Sequence, residues 1–128
     1  MHHIGEIGLL VRDYEEAIVW FSAKLDFTLV ADKALPPGER WVTMAPPGAQ
    51  TALRLARAEN AAQWAQVGHQ AEGRVLLYLH TDNFARDHAL YSGRGVRFLE
   101  PPRREPYGTV AVFEDLYGNR WDLIEYTR

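Results

Sequence analysis

The chain has 128 residues, of which 47% are hydrophobic and 24% are charged, and its formal net charge is -3. These values suit a single domain over residues 1–128 and exclude the basic field that attracts nucleic acid or anionic membranes. Because the sequence contains no cysteine, disulfides, thiolate metal sites and cysteine nucleophiles are also excluded. No apolar run approaches the ~18 residues of a membrane span, and the N-terminus lacks a signal-peptide pattern, so we expect a cytoplasmic protein.

The first half of the chain predicts one strand, one helix and three further strands. Residues 4–11 form an apolar, strand-like run, after which Asp13 can cap a helix with Glu16 in the position of a capping box. Apolar residues then recur at helical spacing, at Tyr14, Ala17, Ile18, Phe21 and Leu25. The segments "FTLVADKAL", "RWVTMAP" and "QTALRLARA" follow as strands separated by turn residues. The predicted order is β-α-β-β-β.

The second half of the chain predicts the same order of elements. The strand-like run "RVLLYLHTD" ends in Asp82, which we predict as the cap of a helix that Gly93 and Gly95 terminate. The segments "VRFLEPP", "GTVAVFED" and "NRWDLIEY" then predict three more strands. Between the first two of these strands, Arg103 and Arg104 are expected to lie in a solvated loop.

An internal duplication accounts for this repetition. A shift of 69 residues aligns Asp13 with Asp82, and a shift of 68 aligns the last two strands of each half. Apolar positions then coincide: Phe21 with Leu90, Val42 with Val110, Leu53 with Trp121, and Leu55 with Leu123. We therefore predict one module at residues 1–57, a polar linker with a short helix at about 58–73, and a second module at 74–128.

Two stretches of the sequence resemble a known superfamily. "IGLLVRDYEEAIVWFSAKLDF" is similar to the first strand and helix of the vicinal oxygen chelate superfamily, and "VFEDLYGNRWDLIEY" is similar to its closing hairpin. That superfamily includes glyoxalase I, bleomycin-resistance proteins, fosfomycin-resistance enzymes and extradiol dioxygenases. The resemblance implies an α+β fold in which two tandem βαβββ modules form a curved mixed sheet around a cup.

The resemblance also points to four positions in the strands. In the superfamily's metalloenzymes, the metal ligands come from the first and last strands of each module, and the corresponding residues here are Glu6, Arg54, Val75 and Asp122. Strand alternation independently turns the charged residues of the last strands away from the helices, because apolar residues flank them. These flanking residues are Leu53 and Leu55, and Trp121 and Leu123. We predict that Glu6, Arg54 and Asp122 point into one shared cup and bind a ligand there.

The chemistry of these four residues argues against the usual metal. Glu6 and Asp122 offer oxygen ligands that suit magnesium or manganese, and they are the weak metal candidates. Val75 offers no lone pair, and the guanidinium of Arg54 stays positive. We therefore expect no metal cofactor, with a divalent metal as the alternative. Arg54 would then replace the metal's charge in an ion network between two carboxylates, unless all three side chains are simply solvated.

Aromatic residues and histidines supply further candidates for the cup. Trp41 at the start of a strand, Trp64 in the linker and Tyr107 in a loop are candidate ligand-binding residues, although packing is the more common use of such side chains. His69 in the linker could cover the cup. His80 aligns with a helix-facing position of the first module, which favours a structural role.

Two classes of function fit these features. The first is a small-molecule-binding protein that holds an organic ligand in the cup without a metal, as the resemblance to bleomycin-resistance proteins implies. The alternative is an enzyme of glyoxalase (lyase or isomerase) or dioxygenase type that uses Glu6 or Asp122 as a general base or with a divalent metal. The resemblance further implies a homodimer.

Overall fold

Two βαβββ modules follow each other in the computed structural model of the chain, which describes residues 1–128. The first unit, Met1–Val67, contains β1 (Glu6–Val11), α1 (Tyr14–Leu25), β2 (Thr28–Leu35), β3 (Glu39–Ala45), β4 (Ala52–Arg57) and α2 (Ala61–Gln66). The second unit, Gly68–Arg128, contains β5 (Val75–His80), α3 (Phe84–Gly93), β6 (Arg103–Glu105), β7 (Gly108–Glu114) and β8 (Arg120–Tyr126). The predicted α+β fold with two tandem modules is confirmed.

Each unit contains one mixed four-stranded sheet. The strand order is β1-β4-β3-β2 in the first unit and β5-β8-β7-β6 in the second. The first and last strands of each module pair in parallel, and the other neighbours are antiparallel. The first and last strands therefore lie side by side in each sheet. These are the strands on which the family resemblance predicts the functional residues. The longest helix has 12 residues, and none of the helices could cross a membrane.

Helix α1 begins where the capping residues predict. The Asp13 carboxylate accepts a hydrogen bond from the Glu16 backbone N–H at 2.8 Å, which satisfies one of the free donors of the first turn. Ala17, Phe21 and Leu25 are buried against the sheet. Asp26 ends the helix in the left-handed conformation, with φ of 58°.

Helix α3 begins one residue later than the predicted cap, Asp82, would place it. Its cap is Asn83, whose side-chain oxygen accepts from the Arg86 backbone N–H at 3.0 Å. Asp82 is not the cap; its exposed carboxylate pairs with the Arg86 guanidinium at 3.1 Å. The helices are therefore related by a shift of 70 residues, and buried Tyr91, not exposed Leu90, corresponds to Phe21.

The third-to-last strand also differs from its prediction. The segment "VRFLEPP" contributes one isolated bridge, Phe98 to Phe113, and strand β6 is the later Arg103–Glu105. Pro101 and Pro102 explain the displacement, because proline has no N–H to donate to a sheet.

The core of each unit lies between its sheet and its helix. The apolar residues that the repeat aligned on the last two strands are buried, namely Val42, Leu53 and Leu55 in the first unit and Val110, Trp121 and Leu123 in the second. Alternate residues of the last strands therefore face away from that core.

Candidate ligand-binding site

A carboxylate inside the β7–β8 turn fixes the orientation of the last strand. Asp115 is buried and accepts hydrogen bonds from the Tyr117 N–H at 2.9 Å, from the backbone and side-chain amides of Asn119 at 3.1 and 3.0 Å, and from the Trp121 indole at 3.0 Å. Gly118 adopts φ of 91°, which favours glycine. Burial raises the pKa of Asp115, and these hydrogen bonds oppose the rise. With the indole anchored on the helix side, the next residue, Asp122, is directed to the opposite face.

Asp122 has a buried oxygen without a partner. Its Oδ1 atom is shielded from solvent and has no hydrogen-bond donor. Burial raises the pKa of Asp122, while Arg103 lowers it and Glu100 raises it further. In the sheet, Asp122 lies between Val112 on β7 and Tyr78 on β5, and Tyr78 is 60% exposed. The open face of the second sheet therefore presents a carboxylate and an exposed tyrosine.

Arg103 and Arg104 lie in strand β6 and not in a loop, although both are exposed to solvent as the sequence predicts. Arg103 pairs with Glu100 and with Glu105, each at 2.9 Å. Glu100 also accepts from the Val112 backbone N–H at 3.2 Å, which holds residues 97–100 to β7. The loop prediction was wrong because residues 103–105 pair with β7.

Glu6 lies at the exposed start of β1. Its partner in the sheet is Ala52 on β4, whereas Gly8 is the partner of Arg54. Glu6 and Arg54 form no ion pair, so this part of the predicted ion network was wrong. Two positions along the strands separate the two side chains, and Arg54 contacts an aromatic ring instead.

The register of the sheets refines the comparison of the two modules. Val75 pairs with Arg120 as Glu6 pairs with Ala52, so Val75 corresponds to Glu6, as the sequence predicts. The pairing of β5 is irregular between Val75 and Leu77, and Leu76 is the extra residue there. Beyond it the shift is 70, so the residue beside the charged position of the last strand is Gly8 in one module and Tyr78 in the other. Neither Val75 nor Leu76 has a lone pair to offer a metal.

Arg54 is held over the ring of Trp41. Its guanidinium carbon lies 4.8 Å from the centroid of the indole, a distance at which cation and ring attract. Its Nε atom is buried and has no hydrogen-bond acceptor. Thr43, the antiparallel partner of Arg54 on β3, is buried beside it. Arg54 therefore presents a cation with an unused donor on the open face of the first sheet.

A cavity of about 440 Å³ lies next to Arg54 in the first unit. Its volume falls in the range of pockets that hold small organic molecules. The residues that shape it include Leu10, Tyr14, Arg40, Arg54, Arg57 and Gln63. Several of these residues lie at the ends of different strands or in the first turn of a helix. The alternation of side chains along a single strand therefore does not show that they line one cavity.

Tyr14 has two arginines near its ring. The guanidinium carbons of Arg40 and Arg57 lie 5.3 and 5.7 Å from its centroid, and its hydroxyl donates to the Arg40 carbonyl at 3.4 Å. Arg40 binds both oxygens of Asp32 at 2.8 Å and also pairs with Glu15, and it lowers the pKa of Asp32. The charge of Arg40 is therefore already matched by carboxylates.

The other predicted residues are not among those that line this cavity. Trp64 is exposed on α2, and His69 is exposed after it. Tyr107 lies in the β6–β7 turn, with its ring 6.1 Å from that of Tyr126. His80 is exposed, with its ring 5.0 Å from that of Tyr126, so its predicted place on the helix side was wrong.

A family model of the Glyoxalase/Bleomycin resistance protein/Dioxygenase superfamily matches residues 1–123. The chain belongs to this superfamily. The resemblance that the two quoted stretches indicated is therefore confirmed. An uncharacterised protein of Shewanella frigidimarina is 48% identical to this chain over 124 residues, which are 95% of this chain and 92% of that one.

Solved structures of the superfamily share the fold over the full length. TnmS3, an antibiotic binding protein from Streptomyces sp. CB03234, is 30% identical, with a TM-score of 0.82 over 99% of this chain and 98% of its own. A superfamily member from Sphaerobacter thermophilus is 29% identical, with a TM-score of 0.77 over 98% of each chain.

The residues of this member do not fit the metal of the superfamily's enzymes. No group of three or more His, Cys, Asp or Glu side chains is arranged to hold a metal ion. One of the four corresponding positions carries the permanently charged Arg54, and another carries Val75, which has no lone pair. A divalent cation beside Arg54 would meet repulsion where it needs a ligand.

Proposed function

We propose that the protein binds a small organic molecule on the open faces of its sheets and does so without a metal. The observation that carries this proposal is Arg54, which sits over Trp41 at a position where the superfamily's metalloenzymes carry a metal ligand. The adjoining cavity of about 440 Å³ supplies space for a ligand. TnmS3, to which the chain is similar over its whole length, is an antibiotic binding protein, and this supports binding without turnover.

Glu6, Arg54 and Asp122, with Trp41, Trp64 and Tyr107, are the ligand-binding residues that we propose. Arg54 and Asp122 have the strongest support, because each has a buried polar atom without a partner. Such atoms cost free energy in the unliganded protein, and a ligand that bonds to them recovers it.

Binding in the presence of a chelator tests this proposal. Bleomycin, doxorubicin and tetracycline would be titrated into the protein in EDTA while tryptophan fluorescence is followed. We expect saturable quenching by at least one of them with one molecule per chain, and a loss of that quenching in Trp41→Phe if the ligand lies beside Arg54. Binding that appears only after a divalent metal is added, or no binding by any of the three, would contradict the proposal.

A second candidate function is catalysis by Asp122 as a general base. The observation that favours it is the unpartnered, shielded Oδ1 atom beside the exposed ring of Tyr78. A carboxylate in that setting can accept a proton from a bound substrate. Turnover of a bound ligand that disappears in Asp122→Asn, with binding retained, would establish this function over simple binding.

The homodimer and the cytoplasmic location expected from the sequence are further parts of this proposal. Each sheet has open edges, at β1 and β2 in the first unit and at β5 and β6 in the second. Exposed edges of this kind are available for pairing with another chain.

A further inference from the structure

We infer that the ligand of the first unit's cavity is an organic anion, a flat ring bearing a carboxylate or a similar oxyanion, and that Arg54 and Arg57 recognise its charge. This inference rests on the proposed function, because it names the chemical class of the ligand that the protein would hold. The geometry that points to it is a cavity with one arginine that is neutralised and two that are not.

The three arginines of the cavity differ in their partners. Arg40 is bonded to both oxygens of Asp32 and to Glu15. Neither Arg54 nor Arg57 has a carboxylate within 4.0 Å; each lies over an aromatic ring, Arg54 over Trp41 and Arg57 over Tyr14. Their charges therefore remain available to a ligand.

The acidic residues at the edge of the cavity do not cancel these charges. Glu39 and Glu59 also line the cavity, but both are exposed to water and neither pairs with Arg54 or Arg57. Water screens the carboxylates, whereas the Nε atom of Arg54 is shielded from solvent and still lacks an acceptor. The two arginines thus line the cavity without a carboxylate partner, and an anionic oxygen is the group that pairs with them best.

Guanidinium geometry restricts the kind of anion. Arginine presents a planar fork of donors that matches the two oxygens of a carboxylate or of a similar oxyanion. The neighbouring walls, Leu10, Ala56 and the ring of Tyr14, are apolar and suit a carbon skeleton. The Tyr14 ring is held by its hydrogen bond to the Arg40 carbonyl, so it offers a fixed surface to a flat ring.

Calorimetry with a matched pair of probes tests the inference. 1-Naphthoate has a flat ring and a carboxylate, and 1-naphthalenemethanol has the same ring without the charge. We expect 1-naphthoate to bind at least ten-fold more tightly to the full chain, and its affinity to fall as sodium chloride is raised. The affinity of the alcohol should not depend on salt.

Three substitutions assign the effect to the cavity. Arg54→Gln should weaken 1-naphthoate binding about ten- to hundred-fold, since hydrogen bonds to a charged group are lost. Arg57→Gln, at an exposed side chain, should weaken it several-fold and keeps the test independent of any folding defect in Arg54→Gln. Arg74→Gln removes the same charge from an exposed residue outside the cavity and should change nothing.

The outcomes separate this inference from the proposed function. Equal binding of the acid and the alcohol would overturn the inference while leaving a small-molecule site in place. Failure of both probes to bind would also overturn it, and the antibiotic titration in EDTA would then judge the proposed function alone. Equal losses in Arg54→Gln and Arg74→Gln would show that net charge, not the cavity, attracts the anion.

Discussion

The buried carboxylate of Asp115 should be the most costly polar side chain of the chain to remove. In Asp115→Ala, the backbone and side-chain amides of Asn119 and the indole of Trp121 lose their acceptor, and both residues are buried. Each buried donor left without a partner costs about 1–3 kcal/mol. Burial of the ionised carboxylate is itself unfavourable, as its raised pKa indicates, and its removal offsets part of that sum.

We therefore expect Asp115→Ala to lower the free energy of unfolding by about 3 kcal/mol and Tm by roughly 10 °C. Urea unfolding followed by circular dichroism measures the change, and an unaltered slope with denaturant would locate it in stability. Asp82→Ala is the matched control, because that side chain is 74% exposed and its ion pair with Arg86 should contribute less than about 1 kcal/mol. A loss for Asp115→Ala no larger than that of the control would refute the account of the turn.

Three further predictions concern pH, backbone and assembly. Because burial raises the pKa of Asp122 in the folded state, ionisation of this carboxyl destabilises the fold as pH rises. Asp122→Asn should therefore raise Tm at pH 7, and this gain should vanish below the pKa of the unfolded state. A gain in Tm that grows on acidification would contradict the predicted sign. Gly68→Ala should lower the free energy of unfolding by more than 1 kcal/mol, because φ of Gly68 is 78° and an added Cβ would overlap the Tyr117 carbonyl. Gly5→Ala is the control, because a Cβ there meets no atom within 4 Å. Equal urea midpoints for the two variants would contradict the prediction. Light scattering should give twice the chain mass of 14.6 kDa, and a single chain mass would contradict the homodimer.

The order of strands and helices in the sequence predicted the two modules, the family resemblance supplied their fold, and alternation predicted the side of the sheet that Arg54 and Asp122 take. Leu53 and Leu55 are buried, so Arg54 between them must face the other way. The same alternation applies to Asp122 between two buried neighbours. Hydrophobic burial decides these orientations, and it is visible in a single strand.

Contacts between strands were harder to predict because they depend on register and on side-chain reach. The irregular pairing of β5 changes the shift between the modules from 69 at Val75 to 70 from Leu77 onward, and no pattern in the sequence shows this. Asp82 and Asn83 are both good caps, and only the backbone geometry distinguishes them. The position of Arg54 over Trp41 depends on a long flexible side chain, which no spacing in the sequence determines.

The central claim is that the protein binds its ligand without a metal, and metal stoichiometry tests it most directly. The purified chain would be incubated with equimolar magnesium, manganese, iron(II), nickel and zinc, desalted, and analysed by inductively coupled plasma mass spectrometry. With Arg54 and Val75 at two of the four corresponding positions, we predict far less than one equivalent of any metal per chain. One tightly held equivalent, lost when Asp122 is replaced by asparagine, would contradict the account.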